Sequence, residues 1–337
     1  MKAALLNGFA QPLVLEDVSV PTPGPGQVLV RILSSGVCHS DVHIARGEWE
    51  KFKSLIRLPL ILGHEVSGRV ERVGPGVKIR REGDLVGVPW FHRTCGECEY
   101  CRRDLEVYCD KPAFTGVHVD GGFAEFTLAW ESHAIPIPRG LALDQAAPLF
   151  CAGGTVYSAL QKVKLDESVR LGIWGAGGLG HYAIQLGKNA RAHVTAVDPV
   201  PAKLTMAREL GADAAVTVAE QGEWFREPKN RVDVALICAT AAQAYSDAIQ
   251  GLRKNGHLLV VGIPSTPISW PAGDLIRSGA RIIPSRVASR RELRDLLEIA
   301  VRGEIHSELQ HFKLENINNV MDSVGAGTLA GRAVIDF

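Results

Sequence analysis

Four cysteines within a single short segment, Cys95, Cys98, Cys101 and Cys109, constrain this chain more than any other feature. They lie in CGECEYCRRDLEVYC, which is C-x2-C-x2-C-x7-C. A tetrahedral Zn²⁺ takes four thiolates at about 2.3 Å, and spacings this short let one folded loop supply all of them. Four protein ligands leave no open coordination position, so such a zinc holds structure together and does no chemistry. Disulfides are the competing reading. Tight C-x2-C steps in a chain without a secretory signal favour metal. The chemistry must be sought elsewhere.

At 337 residues the chain is long enough for two domains with substantial cores. Lysine plus arginine equals aspartate plus glutamate at 37 each, so there is no basic excess to draw nucleic acid or an anionic membrane surface. No apolar run approaches the roughly 18–20 residues of a membrane span. The opening MKAALLNGFAQPLVLEDV lacks the long apolar region and cleavage site of a signal peptide. Seven cysteines, four of them in a metal-like cluster, fit a reducing compartment, and the cytoplasm is the expected location.

The sequence has two textures. Up to about residue 150, short β-rich runs are broken by Gly and Pro: PTPGPG turns into QVLVRIL, and VGPGVK precedes GDLVGV. That pattern predicts a compact, mostly antiparallel, barrel-like domain. From about residue 153, apolar strands alternate with helical stretches: VRLGIW, HVTAVD, DAAVTV, VDVALICAT and HLLVVGI. Buried parallel strands with crossover helices read this way, so an α/β doubly wound parallel sheet is expected. The helix RRELRDLLEIAVRG and the ending GRAVIDF return to the first texture. The predicted division is 1–152 with 287–337, carrying a cysteine lobe at about 92–112, and an inserted 153–286.

Gly175, Gly177 and Gly180 form G-x-G-x-x-G, with Gly178 and Leu179 between the last two. In a chain with 35 glycines the pattern alone is weak. Here it follows an apolar strand and opens a helix, as its mechanism requires. The first glycine makes the turn, the second admits a pyrophosphate, the third lets helix and strand pack, and the helix N-terminus faces the phosphates. HVTAVD then ends in Asp198, where a carboxylate can hold ribose hydroxyls and would repel a 2′-phosphate. Pro199 follows it in place of an arginine, so NAD is favoured over NADP. The alternative for Asp198 is a strand-end turn residue. Lys203 could reach the ribose or remain solvated.

Three further soft or borderline ligands stand apart: Cys38 in SSGVCHSDVH, His64 in LILGHEVSG and Cys151 in APLFCAGGTVY. Singly, each is equally a buried thiol or a hydrogen-bonded core histidine. Their grouping as a Cys2His set with a fourth zinc position open is what the following resemblance implies. With GVCHSDVH, the GHE triplet, the four-cysteine lobe, FCAGGTVYSAL and GAGGLG in this order, the whole chain resembles the zinc-dependent medium-chain alcohol dehydrogenases, in pattern the bacterial and yeast NAD-linked type. The resemblance implies a GroES-like catalytic domain split around a Rossmann domain. It also implies two Zn²⁺ per chain, NAD, a small alcohol or aldehyde substrate, and a homodimer or homotetramer.

Carried over residue by residue, Cys38, His64 and Cys151 match the catalytic zinc ligands, and Glu65 the carboxylate that approaches the metal during ligand exchange. Asp41 resembles the acid that orients the ligand histidine. Ser40 resembles the hydroxyl on the substrate oxygen, and His43 the outer histidine of the proton relay. His39 and Arg332 match positions at the cofactor pyrophosphate, Thr155 and Leu179 those against the nicotinamide, and Trp49 and Trp90 those narrowing the substrate pocket. A bulky aromatic is as often plain core. Cys238 reads as an inert core thiol. The implied chemistry is hydride transfer between a primary, or also a secondary, alcohol and NAD, with zinc as Lewis acid and a Ser40–His43 relay.

The chain departs from the family near Pro284-Ser-Arg-Val-Ala-Ser-Arg290, where the bacterial enzymes carry a glycine-rich stretch. Pro284 lacks an amide donor, Ala288 lacks glycine's freedom, and Arg286 adds a charge beside the segment expected at the carboxamide. Within the superfamily, Cys151 argues against polyol dehydrogenases, whose third ligand is commonly glutamate, and Asp198 against the NADP-preferring cinnamyl type. Zinc-free quinone reductases lack the ligand set altogether. A non-catalytic nucleotide-sensing or structural relative is the reading from another class, and an intact Cys38, His64 and Cys151 set weighs against it.

Overall fold

The computed structural model describes residues 1–264, 266–270 and 272–337, with Lys51 by its backbone alone. The chain divides into two compact units, Met1–Gly154 with Val287–Phe337, and Thr155–Arg286.

The first unit is built on the strand Gln27–Val37, most of whose residues are buried. PTPGPG feeds it through Gly26 at φ +73°, a left-handed turn open to glycine. It pairs antiparallel with Glu65–Val73, Phe126–Trp130 and Arg332–Asp336. Leu85–Val88 and Ile135–Pro136 extend one edge. At the other, Leu309–Lys313 lies parallel to Arg332–Asp336, a departure from antiparallel pairing. The helix Ile317–Gly325 between those two strands makes the crossover that parallel pairing needs. A second small sheet of Lys2–Leu6, Val14–Asp17 and Leu60–Ile61, which the sequence reading did not anticipate, places Ala4, Leu6, Leu60 and Ile61 in one apolar cluster with Val37, Ala333 and Ile335. Val28, Val30, Ile32, Val66, Val70 and Val86 form the core on the central strands. The strands Phe91–Arg93 and Ala113–Phe114 pair antiparallel and bracket the cysteine loop.

In the second unit six strands run parallel, in the order Ala214–Val216, His193–Val197, Arg170–Trp174, Val232–Ile237, Leu252–Val260, Arg281–Pro284. Numbered along the chain this is 3-2-1-4-5-6, the doubly wound order of dinucleotide-binding domains. The strand order reverses beside Arg170–Trp174, which leads into the glycine motif. Burial explains the strand texture: Leu171, Ile173, Ala235 and Leu236 are each 0% exposed, as strands covered on both faces require.

Candidate metal and nucleotide sites

The four cysteines of the lobe converge. Their sulfurs lie within 4.8 Å of one another, and Cys95 Sγ and Cys101 Sγ are 3.9 Å apart. Tetrahedral bonds of 2.3 Å set sulfurs about 3.8 Å apart, so this spacing fits zinc. Gly96 at φ +76° turns the chain, and the short helix Glu99–Arg102 carries Cys101 back to the others. The amides of Cys95 and Cys98 donate to Cys109 Sγ and Cys95 Sγ at 3.2 and 3.4 Å. Backbone hydrogen bonds at Glu97 and Cys98 pull Cys95 down to about 6, while burial pushes Cys101 up to about 12. Four crowded thiols resist joint ionisation, a conflict that a dication relieves. None of the seven cysteines is paired in a disulfide.

The second cluster joins segments far apart in sequence. Cys38 precedes the helix His39–Arg46, His64 precedes and Glu65 opens the strand Glu65–Val73, and Cys151 precedes the helix Ala152–Leu160. One ligand atom from each lies within 4.8 Å of the others, and Cys38 Sγ and Cys151 Sγ are 4.0 Å apart. Asp41 organises the group. Its Oδ2 accepts the Cys38 amide at 2.9 Å, while Oδ1 meets His64 Nδ1 at 2.9 Å and the Gly63 amide at 3.3 Å. With the proton on Nδ1, His64 Nε2 presents its lone pair, and that atom is buried without any protein partner. An orphaned imidazole nitrogen beside two thiols is what a metal would satisfy.

Glu65 is 0% exposed and held from two sides. Oε1 accepts the Ala152 amide at 3.2 Å, and Oε2 pairs with the Arg332 guanidinium. Burial lifts its carboxyl to about 7 even though Arg332 pulls the other way. Arg332, placed by the resemblance at a pyrophosphate, is in ion-pair contact with Glu65. Gly36 makes room for the pair: a Cβ there would sit 2.1 Å from Glu65 Oε2. Sequence reasoning missed Gly36, and the only signal was a lone glycine within a strand pattern.

Ser40 and His43 lie on the first and second turns of the helix His39–Arg46, Ser40 half-buried and His43 buried. His39 stands 4.7 Å from His43 ring to ring, and Trp49 stacks on His43 at 5.1 Å. Trp90 meets His64 edge-on at 4.8 Å and stacks on Phe114 at 5.1 Å. Trp90 thus borders the cluster at His64 and belongs to the apolar core, against which Trp49 also packs. Glu48, which pairs with His43 Nδ1, was missed as well. An acid just after the Gly47 turn was its only trace.

In the second unit, Gly175 takes φ +99°, and a Cβ there would lie 2.8 Å from the Ala239 amide nitrogen. At Gly180, which opens the helix Gly180–Asn189, a Cβ would lie 2.0 Å from Gly175 O. The atoms nearest a Cβ on Gly177 would be those of the Lys203 side chain, from 3.4 Å, so no steric need for glycine arises there from the protein itself. Gly178 and Leu179 are half-buried between them, and Thr155 is buried in the helix Ala152–Leu160. Asp198 is buried and accepts the amides of Ala176 and Val200, each at 2.9 Å. Both oxygens are thereby oriented at the end of the strand beside the glycine turn. Pro284 closes the edge strand Arg281–Pro284, where Ser285 supplies an amide to Val260 O at 2.9 Å. Ala288 is buried.

Comparison with known proteins agrees with this chemistry. Residues 24–139 match the alcohol dehydrogenase GroES-like domain and residues 178–302 the zinc-binding dehydrogenase domain. An alcohol dehydrogenase of Geobacillus stearothermophilus is 39% identical, with 99% of each chain covered. One from Rhizobium meliloti is also 39% identical, over 100% of this chain and 98% of the relative. The crystal structure of the alcohol dehydrogenase from Aeropyrum pernix superposes with a TM-score of 0.93 at 34% identity, covering 100% of both chains. With the thiol–imidazole cluster, the cysteine lobe and the nucleotide fold all present, the chain belongs to the zinc-type medium-chain alcohol dehydrogenases, with zinc and a nucleotide as cofactors.

Proposed function

We propose that the protein interconverts primary, and also secondary, alcohols with aldehydes and ketones, using NAD and two zinc ions per chain. The observation that carries this reading is His64 Nε2, buried and unpartnered beside Cys38 and Cys151. Those three residues would hold the catalytic ion, and Cys95, Cys98, Cys101 and Cys109 the structural one. Zinc supplies Lewis acidity toward the substrate oxygen and NAD supplies the hydride acceptor.

The chain's own residues do the rest. Asp41 keeps the proton on His64 Nδ1, so that Nε2 remains a donor to metal. Arg332 and the Ala152 amide hold Glu65 beside the cluster, where its carboxylate would be a further oxygen ligand for the ion. Ser40 accepts the alcohol proton and His43 passes it toward solvent. Trp49 and Trp90 limit the volume open to substrate. Asp198 binds the ribose hydroxyls and its charge excludes a 2′-phosphate, while Lys203, Gly177 and Gly178 admit the cofactor. Thr155 and Leu179 support the nicotinamide, and His39 completes the cofactor contacts.

Elemental analysis combined with steady-state oxidation of a graded alcohol series by NAD⁺ and NADP⁺ tests this. Two zincs per chain and a higher kcat/KM with NAD⁺ are expected. Ser40→Ala should lower kcat by about 10²–10⁴-fold, the usual worth of a general acid–base group. One zinc per active chain, or equal use of both nucleotides, overturns the corresponding part.

A further inference from the structure

The histidine at the outer end of the proposed relay is itself held by a carboxylate. His43 is 7% exposed, and its Nδ1 forms a close ion-pair contact with Glu48 Oε2. The local chain makes the pair. Helix His39–Arg46 stops at Gly47, whose φ of +68° reverses the backbone. Glu48 then donates its amide to the His43 carbonyl at 2.9 Å, which brings the two side chains together. A larger residue at Gly47 would take a disfavoured φ and place its Cβ 2.7 Å from the Lys53 side chain.

The ring has little freedom left. Trp49 stacks on it with 22° between planes, and His39 lies against it. Among the described residues, the charged groups around His43 can be named. Arg46 Nη1 approaches Glu48 Oε1 at 3.9 Å, Lys53 pairs with Glu50, and Asp322 of the packed helix Ile317–Gly325 shares a groove with Arg46. Glu48 is the carboxylate in contact with the imidazole.

We infer that Glu48 is a positioning residue of the relay. It accepts the Nδ1–H of His43, which fixes the tautomer whose Nε2 carries the lone pair. When Nε2 takes the proton arriving from Ser40, the ring's positive charge forms against the Glu48 carboxylate. The same proton then leaves Nε2 for water, which restores the neutral Nδ1–H tautomer against Glu48. The inference rests on reading His43 as the relay's outer member. Glu48 acts through His43 and touches neither substrate nor cofactor.

The test is alcohol oxidation at pH 7 by the full-length zinc-loaded enzyme and its Glu48→Ala, Glu48→Gln, Glu48→Asp, His43→Ala and double Ala variants. Glu48→Ala should lose about tenfold in kcat, below the usual range for direct acid–base groups, with KM values and zinc content unchanged. Glu48→Asp should recover most of the loss. The double variant should be no slower than His43→Ala, because Glu48 works only through that ring. Added imidazole should accelerate Glu48→Ala and leave wild type unchanged, a response that a folding defect would not give. Should Glu48→Ala fold poorly, the isosteric Glu48→Gln carries the same measurements. Wild-type kcat in the Glu48 variants beside an impaired His43→Ala overturns the role of Glu48 alone. Wild-type kcat in His43→Ala overturns the relay and Glu48 with it. Additive losses in the double variant overturn action through His43.

Discussion

Arg332 and Glu65 form an ion pair across 267 residues of sequence, with side-chain exposures of 5% and 0%. The strands Arg332–Asp336 and Glu65–Val73 both flank Gln27–Val37 and reach each other over Gly36, where no side chain intervenes. A charge this deeply buried is tolerable only with its partner. The pair therefore ties the end of the chain to the wall of the thiol–imidazole cluster.

Arg332→Met should accordingly destabilise the protein by about 3–5 kcal/mol, because it strands a buried carboxylate. Adding Glu65→Gln should restore part of the loss, since a neutral amide costs less to bury than an unpaired charge. Calorimetry of the zinc-loaded single and double variants measures both effects. A double variant no more stable than Arg332→Met would remove the ion pair as the cause.

The two metal clusters should fail differently. Cys151→Ser weakens the set with the open position and should nearly abolish turnover in a folded protein. Cys98→Ser removes a ligand from the closed site, where metal binding contributes folding free energy, and should lower the melting temperature and expose the lobe to protease. Zinc content per chain should fall from two to one in each variant. A Cys98→Ser enzyme with wild-type thermal stability would contradict the structural assignment.

Cofactor choice should follow Asp198. Replacing it by glycine, together with Pro199→Arg, removes a repulsive charge and supplies one able to pair with a 2′-phosphate. The ratio of kcat/KM for NADP⁺ over NAD⁺ should rise by about 10- to 100-fold, equivalent to roughly 1.4–2.8 kcal/mol. The two amides now donating to Asp198 lose their acceptor, so the NAD⁺ rate should fall as well. An unchanged ratio would leave Asp198 with the turn-residue role alone.

What could be read from the sequence followed from locality. Cys95, Cys98, Cys101 and Cys109 come from one loop, and the glycine motif from one strand–turn–helix unit, so spacing carried their geometry. Cys38, His64 and Cys151 meet only after the first unit has folded, and their grouping came from resemblance, not from spacing. No local pattern marks Arg332 as the partner of Glu65, or Gly36 as the space that admits them. Glu48 lies near His43 in sequence, yet a charge after a turn ordinarily reads as a solvated one; the left-handed Gly47 brings its carboxylate back to the ring while much of the residue stays exposed. The parallel strand Leu309–Lys313 escaped because its run is mostly exposed and lacks apolar continuity.

Acid should weaken the first unit through histidines that are buried neutral. His133 Nε2 accepts the Thr94 amide at 3.1 Å, and its Nδ1 lies 2.9 Å from Ser132 Oγ, so Nε2 must be unprotonated. Burial, with Arg290 nearby, pushes His133 down to about 3; burial, with Arg93 nearby, takes His92 down to about 4. In the unfolded chain both titrate near about 6.5. The folded values are depressed, so the unfolded state binds more protons below that point and stability falls with pH. The loss begins near pH 6.5 and levels off only below the folded values. Each histidine contributes a slope of up to about 1.4 kcal/mol per pH unit. Denaturant unfolding of the zinc-loaded protein between pH 8 and 5 should show a plateau above pH 7 and a decline below it. His133→Gln, whose amide oxygen can still accept from Thr94, should decline less steeply. Equal slopes for the variant and wild type would assign the acid sensitivity to other groups.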